Sequence, residues 1–367
     1  MKRAWQLLRV SIICLSFLAV SQRATAEESS SGISMPFTIS GIGLHTHRFQ
    51  TKDAGAANAA AGFRAMLYPS VKLGSHWFGY AAIQVRSEPY FFEETYSSQR
   101  EVEAQWLQAF LGYSRVGDSK SLLIKAGQLS SAFGSFLPRY DDSVNPLIDW
   151  PLSYGYYYKP VSFAGVTGVE VDVSIHRLDT RLQLANSSPA HPVGVSSGDQ
   201  HPQWAGGAGY TVRHGLRIGL SAYRGPYMLR ASRFLSEGDQ SADYRATGVG
   251  LDVQWARGRW SASGEWQRFS FPYPRIPAAV GNYGYAETKV VLTPRWYAAL
   301  RAGYQDYNHI APDRQNYDFV LGYRPNRFQL IKVGYQWLRE TGVVGTRDDV
   351  WAVQYVTSID SLQKSFR

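Results

Sequence analysis

The sequence predicts an all-β protein, a closed antiparallel transmembrane β-barrel of about 16 strands, with 14 to 18 compatible with the pattern. Three observations carry this prediction. Apolar and polar residues alternate over most of the chain, aromatic residues stand at the borders of the alternating segments, and short and long connections follow one another in turn. Alternation with period two is the pattern of a strand with one apolar and one polar face.

The composition agrees with such a barrel and excludes several other classes of protein. The chain of 367 residues is 14% aromatic and 18% charged, with 34 glycines and one cysteine. A disordered chain would carry more charge and fewer aromatic residues. A coiled coil would be richer in Ala, Glu, Lys and Leu. The single Cys14 excludes a disulfide framework and a thiolate zinc site.

Residues 1–26 have the organisation of a cleaved secretory signal peptide. Basic residues open the segment, an apolar run follows over residues 10–20, and a small-x-small cleavage site lies at 24–26. The apolar run is too short to span a bilayer, as expected for a signal peptide. Its removal leaves a chain without cysteine and with a formal charge of +5. This basic excess is too small to predict a nucleic-acid partner.

The remaining chain is expected to form one domain. Residues 27–35 are a lead-in, residues 36–358 form the barrel, and residues 359–367 form a polar C-terminal tail. The alternating segments predict strands near residues 36–50, 60–70, 75–87, 102–114, 121–128, 165–175, 177–186, 203–213, 215–224, 244–256, 258–270, 284–293, 295–307, 316–324, 327–338 and 349–358.

The connections between these segments alternate in length. Short turns follow the even-numbered strands, whereas longer polar segments follow the odd-numbered ones. Bacterial barrels have this pattern, with short turns on the periplasmic side and long loops outside. An even number of strands then places both ends of the barrel on the periplasmic side.

Aromatic residues at the strand borders predict two girdles at the membrane–water interfaces, where one end of each ring is apolar and the other can hydrogen-bond. A soluble β-sandwich is the competing fold, but charges on one face and aromatic or aliphatic residues on the other at nearly every strand favour the barrel. The expected girdle residues are Trp77, Trp204, Tyr223, Trp255, Trp260, Trp296, Tyr304, Tyr317, Tyr323, Trp337 and Trp351.

The longest connection, residues 129–164 after the fifth strand, is too apolar for a solvated external loop. Structureless segments of this length are usually functional. We expect the segment to fold inward and narrow the lumen, with its polar side chains facing the pore. The candidate constriction residues are Arg139, Asp141, Asp142, Asp149, Tyr154, Tyr156 and Lys159.

Charged residues on the polar strand faces predict the lining of the lumen. A small excess of basic residues there predicts at most a weak preference for anions. Acidic residues of the loop that face a basic wall would create a transverse field in a narrow gap. Alternatively, these charges form salt bridges that only hold the loop. The candidate wall residues are Arg64, Arg86, Lys125, Arg177, Arg181 and Arg301.

Motifs around this loop resemble those of bacterial outer-membrane porins, in particular the phosphate-selective porin family and related trimeric 16-stranded porins. The resemblance implies an outer-membrane channel of a Gram-negative bacterium that passes small hydrophilic solutes or anions. It also implies a homotrimer in contact with outer-membrane lipid and lipopolysaccharide. The loop of this chain has three Asp against two basic residues, unlike the basic loop of that family. The matching motifs are Lys125-Ala126-Gly127-Gln128, Ala132-Phe133-Gly134 and Thr167-Gly168-Val169.

Other functions have less support in the sequence. The G-x-S-x-G match at 194–198 lacks the strand and helix that a nucleophile elbow needs. A run of tyrosines at 154–158 could stack sugars in a sugar-specific channel, and an adhesin is a further alternative. No enzyme activity, metal site or cofactor is predicted. A barrel lipase or protease would have to draw its serine and histidine from Ser221, Ser263, His176 and His214.

Overall fold

A computed structural model describes residues 32–47, 57–96, 98, 100–154, 161, 165–186, 202–229, 232–308, 312–341 and 346–359. The predicted signal peptide, the tail from residue 360 and most of the connection 187–202 lie outside these residues. In the described chain, sixteen antiparallel strands form one sheet. They are β1 (Phe37–His47), β2 (Ala59–Leu67, continued by Ser70–Leu73), β3 (Trp77–Ser87), β4 (Val102–Val116), β5 (Lys120–Leu129), β6 (Val166–Ile175), β7 (Leu178–Ala185), β8 (Gln203–Arg213), β9 (Leu216–Pro226), β10 (Arg245–Arg257), β11 (Trp260–Phe271), β12 (Ala279–Val291), β13 (Trp296–Tyr307), β14 (Asp313–Asn326), β15 (Gln329–Thr341) and β16 (Thr346–Ile359).

The sheet closes on itself because β16 pairs with β1, with Ile359 opposite Phe37 and Asp349 opposite His47. Every other strand pairs antiparallel with its neighbours in sequence. Closure leaves no free edge among these strands. The predicted barrel of sixteen antiparallel strands is therefore confirmed, and its largest boundary error is β12, which begins at Ala279. A two-residue strand, Ile33–Ser34, pairs with the second part of β2.

Helical structure in the described residues is confined to single 3₁₀ turns at Phe92–Tyr96, Leu137–Arg139, Leu152–Tyr154 and Ser241–Asp243. None of the described helices is long and apolar enough to cross a membrane.

The barrel has an apolar outside and a polar inside. On β13, Leu300 points outward and is 51% exposed, whereas its neighbour Arg301 points inward and is 2% exposed. Trp296 and Tyr304 share the exposed face of Leu300, and Gln305 shares the buried face of Arg301. A soluble sheet would bury the apolar face, so this inversion is the pattern of a lipid-facing barrel.

The prediction of a girdle position is wrong for one residue, Tyr223. Tyr223 is 1% exposed, and its ring centroid lies 5.2 Å from that of Phe133. The alternation of β9 explains this, because Ser221 and Tyr223 are buried whereas Leu220 is exposed on the other face. Tyr223 therefore faces the interior rather than the lipid.

Tight turns join each even-numbered strand to the next, as predicted. Two of them require glycine, because Gly215 and Gly258 have φ of 79° and 59°. Such left-handed backbone is cheap only for glycine. At Gly215 a Cβ atom would also lie 2.2 Å from the carbonyl oxygen of Ala256.

Candidate functional site

The long connection between β5 and β6 packs against the inner faces of distant strands. Phe133, Phe136 and Tyr154 are fully buried, and Leu147 and Ile148 nearly so. The apolar side chains that made the segment unusual for an external loop therefore have packing partners. Its described part, residues 130–154, is named the inner loop below.

The middle of the inner loop is held on one side of the barrel by a buried ion pair. The Asp142 carboxylate lies 3.1 Å from Nη1 of Arg64, and the exposed fraction of the Arg64 side chain is 0%. The hydroxyls of Ser40 and Tyr90 also donate to Asp142, at 2.5 and 2.7 Å. A buried carboxylate is tolerated only when it is paired and hydrogen-bonded in this way.

A second set of charges holds the inner loop on the far side of the barrel. Arg139 forms an ion pair with Glu287 and donates to the hydroxyl of Tyr285 at 2.9 Å. The guanidinium of Arg301 shares this carboxylate: it lies 3.0 Å from Glu287 and 3.4 Å from the carboxylate of Asp318. The loop thus meets charged wall residues on β2 and on β12 to β13.

Backbone carbonyls of the inner loop provide further anchors. Lys332 is fully buried, and its Nζ donates to the carbonyl oxygens of Asp142 at 2.7 Å and Leu147 at 2.9 Å. Arg301 donates to the carbonyl of Asp149 at 2.9 Å, and Gln305 to that of Leu152 at 2.6 Å. These bonds satisfy carbonyls that a buried irregular segment would otherwise leave unpaired.

The buried carboxylate of Glu265 gathers several donors of the inner loop. It accepts bonds from the backbone N–H and hydroxyl of Ser135, both at 3.2 Å, and from the hydroxyl of Tyr154 at 3.0 Å. Tyr285 adds a bond of 3.2 Å. Tyr154, expected to face a pore, is instead part of this packed network.

Asp149 caps the backbone rather than facing open space. Its two oxygens accept the N–H groups of Phe92 at 2.9 Å and Trp150 at 2.8 Å. Burial raises the pKa of Asp149 well above its usual range, the two backbone bonds oppose this, and the nearby carboxylates of Glu93 and Asp318 add to it.

This raised pKa predicts a pH-dependent stability. A carboxyl group whose folded-state pKa exceeds about 3.9 binds its proton more tightly in the folded state. Its stabilising contribution is therefore present at low pH and is lost as the pH rises towards the folded-state pKa. We expect the wild type to gain stability relative to Asp149→Asn as the pH falls from 7 to about 4. Guanidinium unfolding followed by tryptophan fluorescence measures this difference, and a difference that is constant or changes in the opposite sense contradicts the prediction.

A second segment, residues 88–96 between β3 and β4, also folds into the barrel, and its inward position was not predicted from the sequence. The ring of Phe91 stacks on that of Trp150 with centroids 3.7 Å apart, and the Tyr90 hydroxyl reaches Asp142. Glu94 pairs with Arg86 and accepts the N–H of Phe91 at 3.0 Å. The run Tyr90-Phe91-Phe92 was the available signal, because it is as apolar as the inner loop.

The candidate wall residues divide into three groups. Arg64 and Arg301 bind the inner loop as described, and Arg181 donates to the carbonyl of Gly134 at 3.2 Å. The second group forms ion pairs with strand or hairpin residues. Arg86 pairs with acids of its own hairpin and the adjoining segment, and Lys125 pairs with Glu170 and Asp172 on β6.

The third group is Arg177, which is exposed in the turn between β6 and β7 and donates to the carbonyl of Val212 at 3.4 Å.

The remaining loop candidates are Asp141, Tyr156 and Lys159. Asp141 accepts bonds from Tyr68 and from the N–H of Ser143 at 2.8 Å. Tyr156 and Lys159 lie outside the described residues. Of the three loop carboxylates, Asp142 alone forms an ion pair with a candidate wall residue among the described side chains, which favours anchoring over a transverse field.

A further ion-pair network lies away from these anchors, on β7, β9 and β10. Arg217 donates to Asp179 at 2.6 and 2.9 Å and to Asp252 at 2.7 Å. Its guanidinium lies flat over Gly209, where a Cβ atom would stand 1.9 Å from Nη2. Because glycine has no side chain, position 209 leaves the space that the Arg217 guanidinium occupies.

The serine and histidine residues considered for catalysis are not brought together as pairs by the structure. Ser221 accepts the N–H of Gly134 at 3.2 Å, and Ser263 donates to Glu287 at 2.8 Å. His176 and His214 lie in exposed turns, the first between β6 and β7 and the second between β8 and β9. Within the described chain no cluster of three His, Cys, Asp or Glu side chains could hold a metal ion.

Comparisons with known proteins agree on the architecture. No family model and no curated protein matches the chain. Three similar solved structures are OmpF of Salmonella typhi in complex with daunomycin, the outer-membrane channel DcaP of Acinetobacter baumannii and an anion-selective porin from Comamonas acidovorans. Their identities are 11%, 12% and 10%, and their TM-scores are 0.62, 0.60 and 0.59. The alignments cover 91%, 91% and 90% of this chain and 99%, 99% and 100% of those chains. The chain therefore shares the closed 16-stranded barrel fold of bacterial outer-membrane channels.

Proposed function

We propose that the chain is an outer-membrane porin of a Gram-negative bacterium, a passive diffusion channel for small hydrophilic solutes with at most a weak preference for anions. The observation that carries this proposal is the inverted polarity of the closed barrel, with charged residues inside and apolar residues outside. The likeness to solved outer-membrane channels supports it. The proposal includes export through the signal peptide at 1–26, assembly as a homotrimer, and contact with outer-membrane lipid and lipopolysaccharide.

The inner loop is proposed to set the size of the pore. It spans from Arg64 on β2 to Glu287 on β12, so solutes must pass beside it along the remaining wall. That wall includes Lys125 and Arg217, and Arg181 lies where it meets the inner loop. Two loop residues outside the described chain, Tyr156 and Lys159, belong to the proposed constriction as well.

Charge pairing along this wall accounts for weak selectivity. Lys125 lies 2.8 Å from Asp172, and Arg217 is shared between Asp179 and Asp252. Rings of charge of one sign select ions strongly, whereas paired charges leave little net field. The structure thus supports a general channel more than a phosphate-specific one.

Gly209→Ala is expected to shift the channel towards cations. The new Cβ would displace the Arg217 guanidinium, leaving Asp179 and Asp252 without their partner. Stability should change by about 1 kcal/mol or less, because the pair is partly exposed. The reversal potential across a salt gradient measures the shift. Gly43→Ala is the matched control, because nothing lies within 4 Å of a Cβ there; an equal shift in both variants contradicts the prediction.

Swelling of liposomes that contain the refolded protein tests the proposed function. Uncharged sugars of increasing size should enter at rates that fall smoothly with size, and heat-denatured protein should give no swelling. Entry of one sugar or of phosphate alone, with saturation, would favour the substrate-specific alternative. Hydrolysis of lipid or peptide without swelling would favour the enzyme alternative.

A further inference from the structure

Three arginines lie on the outer, apolar face of the sheet rather than in the lumen. Arg224, Arg245 and Arg268 are exposed near the ends of β9, β10 and β11 that adjoin the long connections. Their outward direction follows from the alternation, since Arg268 shares its face with exposed Trp266 while Gln267 between them is buried. Charged side chains on the lipid face cost several kcal/mol at mid-membrane and little near the interface. Their position therefore suits a membrane boundary.

The three arginines form one patch. Arg224 lies opposite Thr247 on β10, two residues from Arg245, and Arg268 lies opposite Val249, two residues from Thr247 on its other side. Arg224 and Arg245 are diagonal neighbours on adjacent strands, a placement that sets side chains about 7–8 Å apart and within reach of one another. Arg268 lies farther away, across β10 from Arg224. One multivalent anion could therefore contact more than one of these guanidinium groups.

Carboxylates do not neutralise this patch. Within the described part of the chain no carboxylate oxygen lies within 4 Å of the three guanidinium groups. Arg268 donates instead to Asn282 at 3.3 Å, and Asn282 donates to Asp306 at 3.4 Å. The patch keeps a net positive charge, with one carboxylate at its edge.

An apolar groove lies directly beside the patch on the same outer face. Its cavity volume is about 720 Å³. Small residues, Gly264 and Ala286 among them, form its floor, and Trp266 and Tyr304 form its walls. Leu220 and Leu251, each 57% exposed, continue the apolar surface towards the arginines.

We infer that the arginine patch of Arg224, Arg245 and Arg268, with the adjoining groove, binds a phosphorylated lipid. Arginine binds phosphate through charge-assisted, often bidentate hydrogen bonds, and the groove takes the acyl chains. The anionic phosphates of this occupant match the cationic patch, and its acyl chains match the apolar groove beside it. The inference rests on the proposed function in that it places this face in a membrane.

Native mass spectrometry of the refolded protein in a non-ionic detergent, titrated with bisphosphorylated lipid A, tests the inference. The variant R224Q/R245Q/R268Q should bind lipid A about tenfold to a hundredfold more weakly. Phosphatidylcholine, whose head group is zwitterionic, should bind weakly to both proteins. The matched control is R213Q/R257Q/R259Q, which removes the same charge from exposed residues near the opposite strand ends.

Equal weakening by the control triple, or none by the test triple, overturns the inference. So does full displacement of lipid A by millimolar inorganic phosphate, because the groove would then contribute nothing. If the test triple fails to refold, R224K/R245K/R268K replaces it and should retain most of the binding, with its loss counting against the inference. Channel conductance is recorded on the same samples, so absent conductance with intact lipid binding would overturn the proposed function and leave the lipid site standing.

Discussion

Replacing Arg64 with alanine is expected to lower the free energy of unfolding by about 3–5 kcal/mol. Arg64 is fully buried and pairs with Asp142 at 3.1 Å. Without it, the carboxylate would remain buried with only the neutral donors Ser40 and Tyr90. The guanidinium also lies 4.0 Å from the centre of the Tyr140 ring, so packing is lost together with charge. Guanidinium unfolding of the barrel in lipid vesicles gives the measurement.

The double variant R64M/D142N separates charge from packing. Replacing both members of a buried ion pair with neutral residues of similar size is often close to neutral in free energy. We expect the double variant to recover most of the stability that Arg64→Ala loses. A double variant as unstable as the single one would show that the ion pair is not what holds the middle of the inner loop.

Removing the two ion pairs in the middle of the inner loop is expected to enlarge the channel. The variant R139A/D142A removes the pair with Glu287 and the pair with Arg64. The bonds from Lys332 and Gln305 and those to Glu265 remain, so the loop should stay inside the barrel but move more around residues 139–142. Single-channel conductance should then rise on the order of twofold and fluctuate more, because the constriction sets the limiting cross-section. Larger sugars should also enter liposomes.

The matched control, R213A/D118A, removes an exposed arginine at the end of β8 and an exposed aspartate from the turn between β4 and β5. Conductance of this control should equal that of the wild type. Unchanged conductance in R139A/D142A, with the barrel still folded, would mean that the inner loop does not limit the passage of ions.

The strands could be predicted closely because alternation is a local property of the sequence. A residue on β13 such as Arg301 reveals its inward direction through its neighbours Leu300 and Ala302, without knowledge of any partner. Glycines that favour tight turns, such as Gly215 and Gly258, mark where one strand ends and the next begins. The prediction for Tyr223 is wrong because its aromatic ring suggests the membrane interface, whereas the alternation of β9 places it on the inner face.

The pairing inside the barrel could not be predicted, because it joins residues far apart in the chain. Asp142 meets Arg64, 78 positions away, and Arg139 meets Glu287, 148 positions away. Residue type and strand face identified Arg64, Arg139 and Asp142 as lumen or loop candidates. Which acid met which base depended on how the inner loop lies across the barrel, and no local pattern records that.

The segment 88–96 shows a second reason why the packing inside the barrel could not be predicted from the sequence. Its aromatic run is visible in the sequence, but its length and its place after an odd-numbered strand predict an external loop. Its insertion depends on Trp150 and Asp142 of the inner loop, which Phe91 and Tyr90 contact. Two inserted segments that stabilise one another cannot be recognised from either alone.

Planar-bilayer recording of the refolded wild-type protein tests the central claim most directly. The account predicts discrete conductance steps that scale with salt concentration, and a reversal potential close to zero across a salt gradient. It also predicts that small uncharged sugars in the bath lower the conductance by entering the pore. Bilayers that show no steps above the protein-free baseline, although the barrel is folded by heat-modifiable gel mobility, would contradict it.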